Sequence, residues 1–577
     1  MESPLNAPQP AGASKRLWLS GLLATGLPTL LAFSMPPTPS LFNELLALFG
    51  WGVVLVMFGR ATQVGFSCGR VDRSIPLALL LIAVAAWGPV GLGASTLSYA
   101  LLTTLGLLVC WMLFRMGVMT KQHAGALTLM DGCMWGLLLA GLLNVPVSLV
   151  QVFFPGAVDG IVIPALRVAG RAVGTIRQPN HLAMLSAWGL VAVCHLAHKR
   201  KLPAWFAALA IVALCGNIAL SGSRMGLLAC LLMTVAAWFA RSLDTTVRRL
   251  ALSVAPIVCL EVAALAWASS GATALGAAAR LGEGAAGPSS RMLLLQDSLR
   301  MIAARPWTGT GWGEFNFVWT LTPRDWQTVH HFTHAHNLPI HLIVELGLPL
   351  GILVIILLAL GLIRACRFRP SESTSVDHKS ALSCALLMAL FSQFEYPLWY
   401  AYFAFPTAFF LGLSAPADEA GVPRRQGNRH QPMVLAGLGV IMAGTLLLRD
   451  YLQVLQIFIP PNTPAPLSAR IEEGQKAVIF KPYAEYAAVT SQATAVGPGD
   501  YLQAAHPSMD ERLLINWAEY FHGRGDEERA LFLMQRARVF QSPVVDEVVS
   551  RCRSGDWAGQ RFPCGEPQRA FEAADFR

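Results

Sequence analysis

Runs of apolar residues, each close to the ~20 needed to cross a bilayer as a helix, recur along this chain and give out near residue 448. About thirteen are legible, near 17–34, 41–59, 75–91, 98–117, 125–153, 180–197, 202–220, 225–240, 250–269, 337–363, 380–395, 397–415 and 432–448. The pattern predicts an all-α, polytopic membrane protein. Pro146 is a candidate break within the long 125–153 run. The first run follows Lys15-Arg16, with the small residues Ala32 and Ser34 where a signal peptidase would cut. Because further spans follow directly, an uncleaved first helix is the expectation.

Past residue 448 the pattern becomes that of a soluble helical region. A link rich in proline (Pro460-Pro461, Pro464, Pro466) leads into it. Asp510–Phe521 and Glu527–Phe540 read as two amphipathic helices joined by a turn at 522–526, a hairpin of tetratricopeptide type without that class's regular repeat. The expected division is 1–448 for the membrane part, with a large loop over 270–336, and 449–577 for the helical C-terminal part. Inside the loop, Met292, Leu295, Leu299 and Ile302 share one helical face. That helix is expected to lie along the membrane interface, with Trp307 and Trp312 as belt aromatics.

Composition agrees: 54% of the 577 residues are hydrophobic and 13% charged, against roughly 25% charged in soluble domains. The net charge of +9 does not point to nucleic acid, because the basic residues cluster in alternate loops. These include Arg60/Arg70/Arg73, Lys199/Arg200/Lys201, Arg241/Arg248/Arg249, Arg364/Arg367/Arg369 and Arg424/Arg425/Arg429. By the positive-inside rule those loops are cytoplasmic. An odd number of spans then puts the C-terminal part on the far side. Cys552 and Cys564 lie in that part and are a candidate disulfide; the other cysteines fall in or beside spans.

The outer loops break the rule. Arg167, Arg171, Arg177, Arg224, Arg291, Arg300 and Arg305 all fall there, with few acids and no lysine. An excess of guanidinium groups at this depth calls for an anionic partner, and phosphate oxygens suit the arginine fork; taken singly, each is equally an interfacial snorkeller. The run His330-His331-Phe-Thr-His334-Ala-His336-Asn337 opens a span at the same face. A zinc site there has no standard spacing and no thiol. His336 stands out, because a neutral imidazole at the interface can take a proton from a hydroxyl. Glu345 falls on the opposite helical face, as a packing group. Gln178, Asn180 and His181, beside Arg177, are candidate hydrogen-bonding groups for a sugar, with helix capping the alternative for Asn180. Glu395-Tyr396-Pro397 makes a polar notch with Tyr400. Asp131 is an intramembrane acid without an assignment.

Together, Gly174-Thr-Ile-Arg177-Gln178-Pro179-Asn180-His181, Gly222-Ser223-Arg224-Met-Gly226, Gly309-Thr-Gly311-Trp312-Gly313-Glu-Phe315, His334-Ala-His336-Asn337 and Glu395-Tyr396-Pro397-Leu-Trp399-Tyr400 resemble the O-antigen ligase and polymerase superfamily. The soluble C-terminal part draws the resemblance toward its protein O-oligosaccharyltransferase branch. That resemblance implies a GT-C-like glycosyltransferase of the bacterial inner membrane. It would move a glycan en bloc from undecaprenyl pyrophosphate to serine or threonine of a periplasmic protein such as a pilin, with inversion. It assigns His336 as the catalytic histidine, with Arg291 and Arg224 on the pyrophosphate. Gln178, Arg177, Asn180, His181, Tyr396, Tyr400, His334 and Asn337 become substrate-binding candidates. No metal and no cofactor are implied; the partners are the lipid-linked donor, the acceptor protein and membrane lipids, not nucleic acid. Ligation to lipid A core and polymerisation share the donor chemistry and stay open. Transport of a lipid-linked glycan is the reading from another class, but no internal repeat supports it.

Overall fold

The computed structural model describes residues 12–577 except 32, 63–71, 92–96, 167–169, 241–242, 270–274, 277–289, 325, 329, 417–430, 463–464, 508 and 555–563. Arg70, Arg167, Arg241, Arg424, Arg425 and Arg429, and most of the Gly/Ala-rich arm before Ser290, therefore lie outside the described residues. The described chain is helical throughout, with one isolated parallel bridge between Thr328 and Phe540 and no strand. The helices needed below are α1 (Ala13–Leu30), α2 (Leu41–Thr62), α3 (Thr128–Phe153), α4 (Pro179–His198), α5 (Ala204–Ser221), α6 (Arg224–Phe239), α7 (Ser290–Ala304), α8 (Phe315–Leu321), α9 (Leu338–Arg367), α10 (Ser375–Phe391), α11 (Ala401–Ser414), α12 (Glu511–Gly523) and α13 (Glu527–Ala537).

Each apolar run read from the sequence falls on helix. Among the described residues nine helices are long and apolar enough to span a bilayer, and α6 and α11 are shorter apolar helices. Pro146 does not end α3, which continues from Thr128 to Phe153.

The chain divides into two compact units, residues 1–76, 108–286 and 358–445 in one, and 77–107, 287–357 and 446–577 in the other. In the first, α1 packs on α3 through small residues: a Cβ on Gly136 would lie 2.4 Å from the Leu22 carbonyl. Close backbone approach of this kind holds helices together where lipid gives no hydrophobic drive. Two buried amides of α3 reach out to the loop that precedes α4. Gln151 Oε1 accepts the N–H groups of Val173 (3.1 Å) and Gly174 (2.9 Å), and Asn144 Oδ1 accepts that of Thr175 (2.8 Å). Val173, Gly174 and Thr175 are buried, so their backbone must be satisfied by protein.

The end of α4 away from Gln178 holds a buried charge cluster. Asp131 Oδ1 accepts from His195 Nε2 (3.0 Å) and Lys199 Nζ (2.9 Å), and its Oδ2 from Lys201 Nζ (2.5 Å). Lys199 also reaches Asp377 Oδ1 at 2.6 Å, and His195 Nδ1 meets Ser380 Oγ at 2.9 Å. Asp131 is thereby assigned: it ties α3 to α4, while Lys199 and His195 tie α4 to α10.

In the second unit one apolar core joins the 290–336 loop to the C-terminal helices. It includes Leu294, Trp319, Phe332, Trp517, Leu533 and Phe540. The amphipathic α7 buries Leu294, Asp297, Ser298 and Met301, and leaves Met292 and Leu299 half exposed. Trp307 is 76% exposed, whereas Trp312 is buried and donates its indole N–H to Thr103 at 3.1 Å; it is a packing residue and not a belt aromatic. In the C-terminal part, α12 and α13 start at Asp510 and Asp526, whose carboxylates accept N–H groups of their first turns. Cys552 and Cys564 are joined as a disulfide.

The long helix α9 is broken. Gly347 has φ 76° and ψ 168°, outside helical space. The break frees carbonyls that the Gly309-Thr-Gly311 segment satisfies: Thr310 N–H donates to Val344 O (2.8 Å) and Gly311 N–H to Glu345 O (3.0 Å). Gly309, at φ 67°, admits no side chain, since a Cβ would sit 2.5 Å from the Glu345 carbonyl. The glycine motif read from the sequence is the brace of this broken helix.

Candidate functional site

In the first unit the residues picked from two distant stretches gather at the N-terminus of α4. Gln178 is its cap, Oε1 accepting the His181 N–H at 2.7 Å, so the capping role belongs to Gln178 and not to Asn180. Asn180 instead donates to Glu395 Oε1 at 2.6 Å, 215 residues away. The His181 ring lies edge-on to Tyr400 with centroids 4.7 Å apart, and its Nδ1 is 3.3 Å from the Tyr402 hydroxyl. Tyr396 stacks on Tyr400 at 6.0 Å. Arg177 has φ 61°, left-handed space that non-glycine residues seldom occupy. It donates to the Phe33 carbonyl (3.2 Å) and to Asn43 Oδ1 (2.5 Å). Desolvation by burial lowers its pKa from the usual arginine value.

Asn43 and Glu44 went unread in the sequence. Glu44 Oε2 accepts the Ala401 N–H at 2.5 Å, so α2 and α11 meet at this notch. The available signal was a lone acid in the first turn of an apolar span, which is costly unless it is used. Arg224 is exposed at the start of α6, capped by Ser223, whose Oγ accepts the Gly226 N–H at 3.2 Å. Gly226 sits against Ala183 of α4, so Arg224 and Gln178 belong to the same end of the bundle.

In the second unit the structure brings together Arg291, His334, His336 and Asn337. His336 has φ 51°, a conformation worth of order 1–3 kcal/mol of strain in a non-glycine residue. Its ring meets Phe332 edge-on at 5.8 Å. Burial, then the positive charge of Arg291 and the neighbouring His330, push its pKa down to about 3. The imidazole is neutral near pH 7. His334 Nδ1 contacts Thr333 Oγ1 at 2.8 Å, and burial also holds its ring well below the usual histidine range. Asn337 caps α9, Oδ1 accepting the Ile340 N–H at 2.9 Å. His331 pairs with Glu511 at 3.0 Å and stacks on Phe540 at 4.2 Å. These histidines are thus engaged one by one with their own neighbours.

Among the described residues the group with metal-ligand geometry is elsewhere, at Asp131, His195 and Asp377. Lys199 and Lys201 bond its carboxylates, so ammonium groups already supply the countercharge there.

Residues 207–355 match the O-antigen ligase family, and residues 380–542 match the family described as virulence factor membrane-bound polymerase, C-terminal. The chain is 30% identical over 319 residues to a general O-oligosaccharyltransferase of Acinetobacter baylyi, covering 51% of this chain and 52% of that protein. It is 29% identical over 128 residues to a ComP-specific O-oligosaccharyltransferase of the same organism, covering 22% of each. The matched stretches thus span about half of the first relative and under a quarter of the second. Residues 207–355 and 380–542 are thus similar to O-antigen ligase and membrane-bound polymerase families, and about half of the chain is similar to an O-oligosaccharyltransferase.

Proposed function

We propose that the protein transfers an oligosaccharide en bloc from undecaprenyl pyrophosphate to serine or threonine hydroxyls of periplasmic proteins such as a pilin. The observation that carries this reading is His336, a neutral imidazole locked in left-handed space within electrostatic range of Arg291. The anomeric carbon of the donor already bears a good leaving group. The reaction needs a hydroxyl whose proton has somewhere to go and cations for charge growing on the departing pyrophosphate. His336 accepts the proton. Arg291 is the cation beside it; in the first unit, Arg224 is a candidate phosphate contact, and Gln178, Asn180, His181 and the Tyr396/Tyr400 pair are candidate polar contacts for sugar. One displacement gives inversion without a covalent intermediate.

Two features support the inner-membrane, outward-facing arrangement. The Lys199–Lys201 cluster marks one end of α4 and the candidate sugar contacts the other. A C-terminal disulfide suits an oxidising compartment. The test is glycosylation of a co-expressed pilin in cells that make a lipid-linked glycan and lack any other transferase. Unmodified pilin beside a newly glycosylated lipid A core would replace this reading with ligation.

No metal step is needed, so transfer by the purified protein is expected to survive a chelator at full rate. Loss on chelation, restored by magnesium or manganese, would refute that part.

The pH dependence follows from the burial of His336 and, after it, from the charge of Arg291. A base works only when unprotonated, so the rate falls as pH drops through its pKa. In the free enzyme that pKa is held near 3, so kcat/KM should be flat from neutral pH down to about 4 as far as His336 is concerned. The bound pyrophosphate is anionic and offsets the Arg291 charge, which raises the pKa. The acid limb of kcat is therefore expected at higher pH than that of kcat/KM. Coincident limbs would remove the electrostatic link.

A further inference from the structure

His341 and Glu345 lie one and two turns into α9 and are both 2% exposed. Neither has a part in the proposed reaction so far. A buried imidazole–carboxylate pair does not explain itself by stability, because well-packed apolar residues in its place are often neutral or better. Its contacts lead back to the backbone of the histidine motif.

The N–H of Ala335, the residue between His334 and His336, donates to His341 Nδ1 at 3.4 Å. With Nδ1 accepting, the neutral ring carries its proton on Nε2. Nε2 lies 3.5 Å from Glu345 Oε2, a buried oxygen that takes no hydrogen bond. The carboxylate is itself fixed, since its Oε1 accepts the Phe315 N–H at 3.3 Å. Glu345's own carbonyl takes the Gly311 N–H of the brace. The His341 ring is held between Phe315, with centroids 5.4 Å apart, and His334, at 5.1 Å. Its backbone N–H donates to the Asn337 carbonyl at 2.9 Å. Ala335 N–H and Glu345 Oε2 thus face opposite ring nitrogens of His341, and its Nε2–H tautomer offers the acceptor for Ala335 N–H. The next residue along is His336, at φ 51°. A left-handed non-glycine residue persists only where its surroundings over-determine it.

We propose that His341 and Glu345 are positioning residues: through the Ala335 amide they hold the His336 backbone in its left-handed conformation and so aim its imidazole at the acceptor hydroxyl. The proposal rests on His336 being the acting base and adds the device that presents it. His341 touches no substrate in this scheme; it acts through one peptide plane.

The test is steady-state transfer by the purified full chain, from a polyprenyl-pyrophosphate-linked disaccharide to a serine-containing pilin peptide, alongside thermal unfolding. Misplacing a reacting group by about 1 Å costs on the order of 100-fold, so His341→Phe is expected to lower kcat about that much with donor KM within about twofold. His341→Asn keeps an acceptor close to the Nδ1 position and is expected to recover at least about tenfold of that loss. His341→Phe leaves Glu345 buried without its partner and risks misfolding. The double variant His341→Phe/Glu345→Leu avoids this by making the pair apolar, and is expected to unfold no earlier than the parent while staying as slow as the single variant. Parental kcat in that double variant, or a loss tracking thermal stability without rescue by Asn, overturns the positioning role. Activity of His336→Ala, measured in the same series, separates the two levels. An inactive His336→Ala beside a fully active double variant overturns the positioning role alone; an active His336→Ala overturns the base assignment and the positioning role with it.

Discussion

His336→Ala is expected to lower the transfer rate by 10²–10⁴-fold, roughly the range that a positioned general base contributes, while the protein stays folded in the membrane. The magnitude follows from what the site lacks as much as from what it holds. His334, a neighbouring ring in the same motif, is already engaged with Thr333 and packed on His341, which makes it a poor substitute. Alanine gives up the edge-on contact with Phe332 and inherits the same left-handed backbone. Asparagine tolerates that backbone better, so His336→Asn is the control that keeps geometry without the base. Initial rates and thermal midpoints on the three proteins settle it. Transfer by the alanine variant within tenfold of the parent would remove His336 from the chemistry.

The second large effect is on stability. Asp131→Ala is expected to cost about 3 kcal/mol, the lower end of what breaking a buried ion pair costs. The lower end applies because the Lys201 side chain is 39% exposed and can turn to water, whereas His195 cannot, its side chain being fully covered. The loss would be read as a lower thermal midpoint in detergent. The paired variant Asp131→Asn/Lys201→Met is expected to recover part of it, since the charge and its partner leave together. An alanine variant as stable as the parent would show that the cluster is a solvated group and not a structural tie.

Periodicity and hydropathy located the helices well because lipid-facing and core-facing residues are both apolar, so the runs needed no tertiary information. Their ends were less legible. The run read as 432–448 belongs to a helix reaching Phe458, and it looks shorter because Arg449 and Asp450 interrupt it. Asp450 is there for a tertiary reason: its carboxylate accepts the N–H groups of Val478, Ile479 and Phe480. The run read as 337–363 hid its break, since both halves are equally apolar and only the backbone shows that Gly347 is not helical.

The candidate site was legible where anomalous residue types sat in the wrong place. Arginines in loops expected to face outward and an imidazole at the start of a span picked out Arg177, Arg224, Arg291 and His336 as candidates. Roles that depend on pairing were not legible. Gln178 as the helix cap, Asn180 bonded to Glu395, and Asp131 bonded to residues 64 to 70 positions away need the folded chain. Helical phase placed Glu345 on the face opposite His336, as a packing group. What phase alone did not reveal was His341, four residues before it, as the intermediary.

The break at Gly347 divides the work of one long helix. Leu348–Arg367 alone extends ~30 Å at 1.5 Å per residue, enough to traverse the hydrocarbon by itself. The nine residues ahead of the glycine are thereby relieved of any duty in anchoring. Evolution can retune the angle and depth of the histidine turn without renegotiating how the polypeptide is threaded through lipid. Variation in bilayer thickness would be absorbed by Leu348–Arg367 before it disturbed the histidine turn.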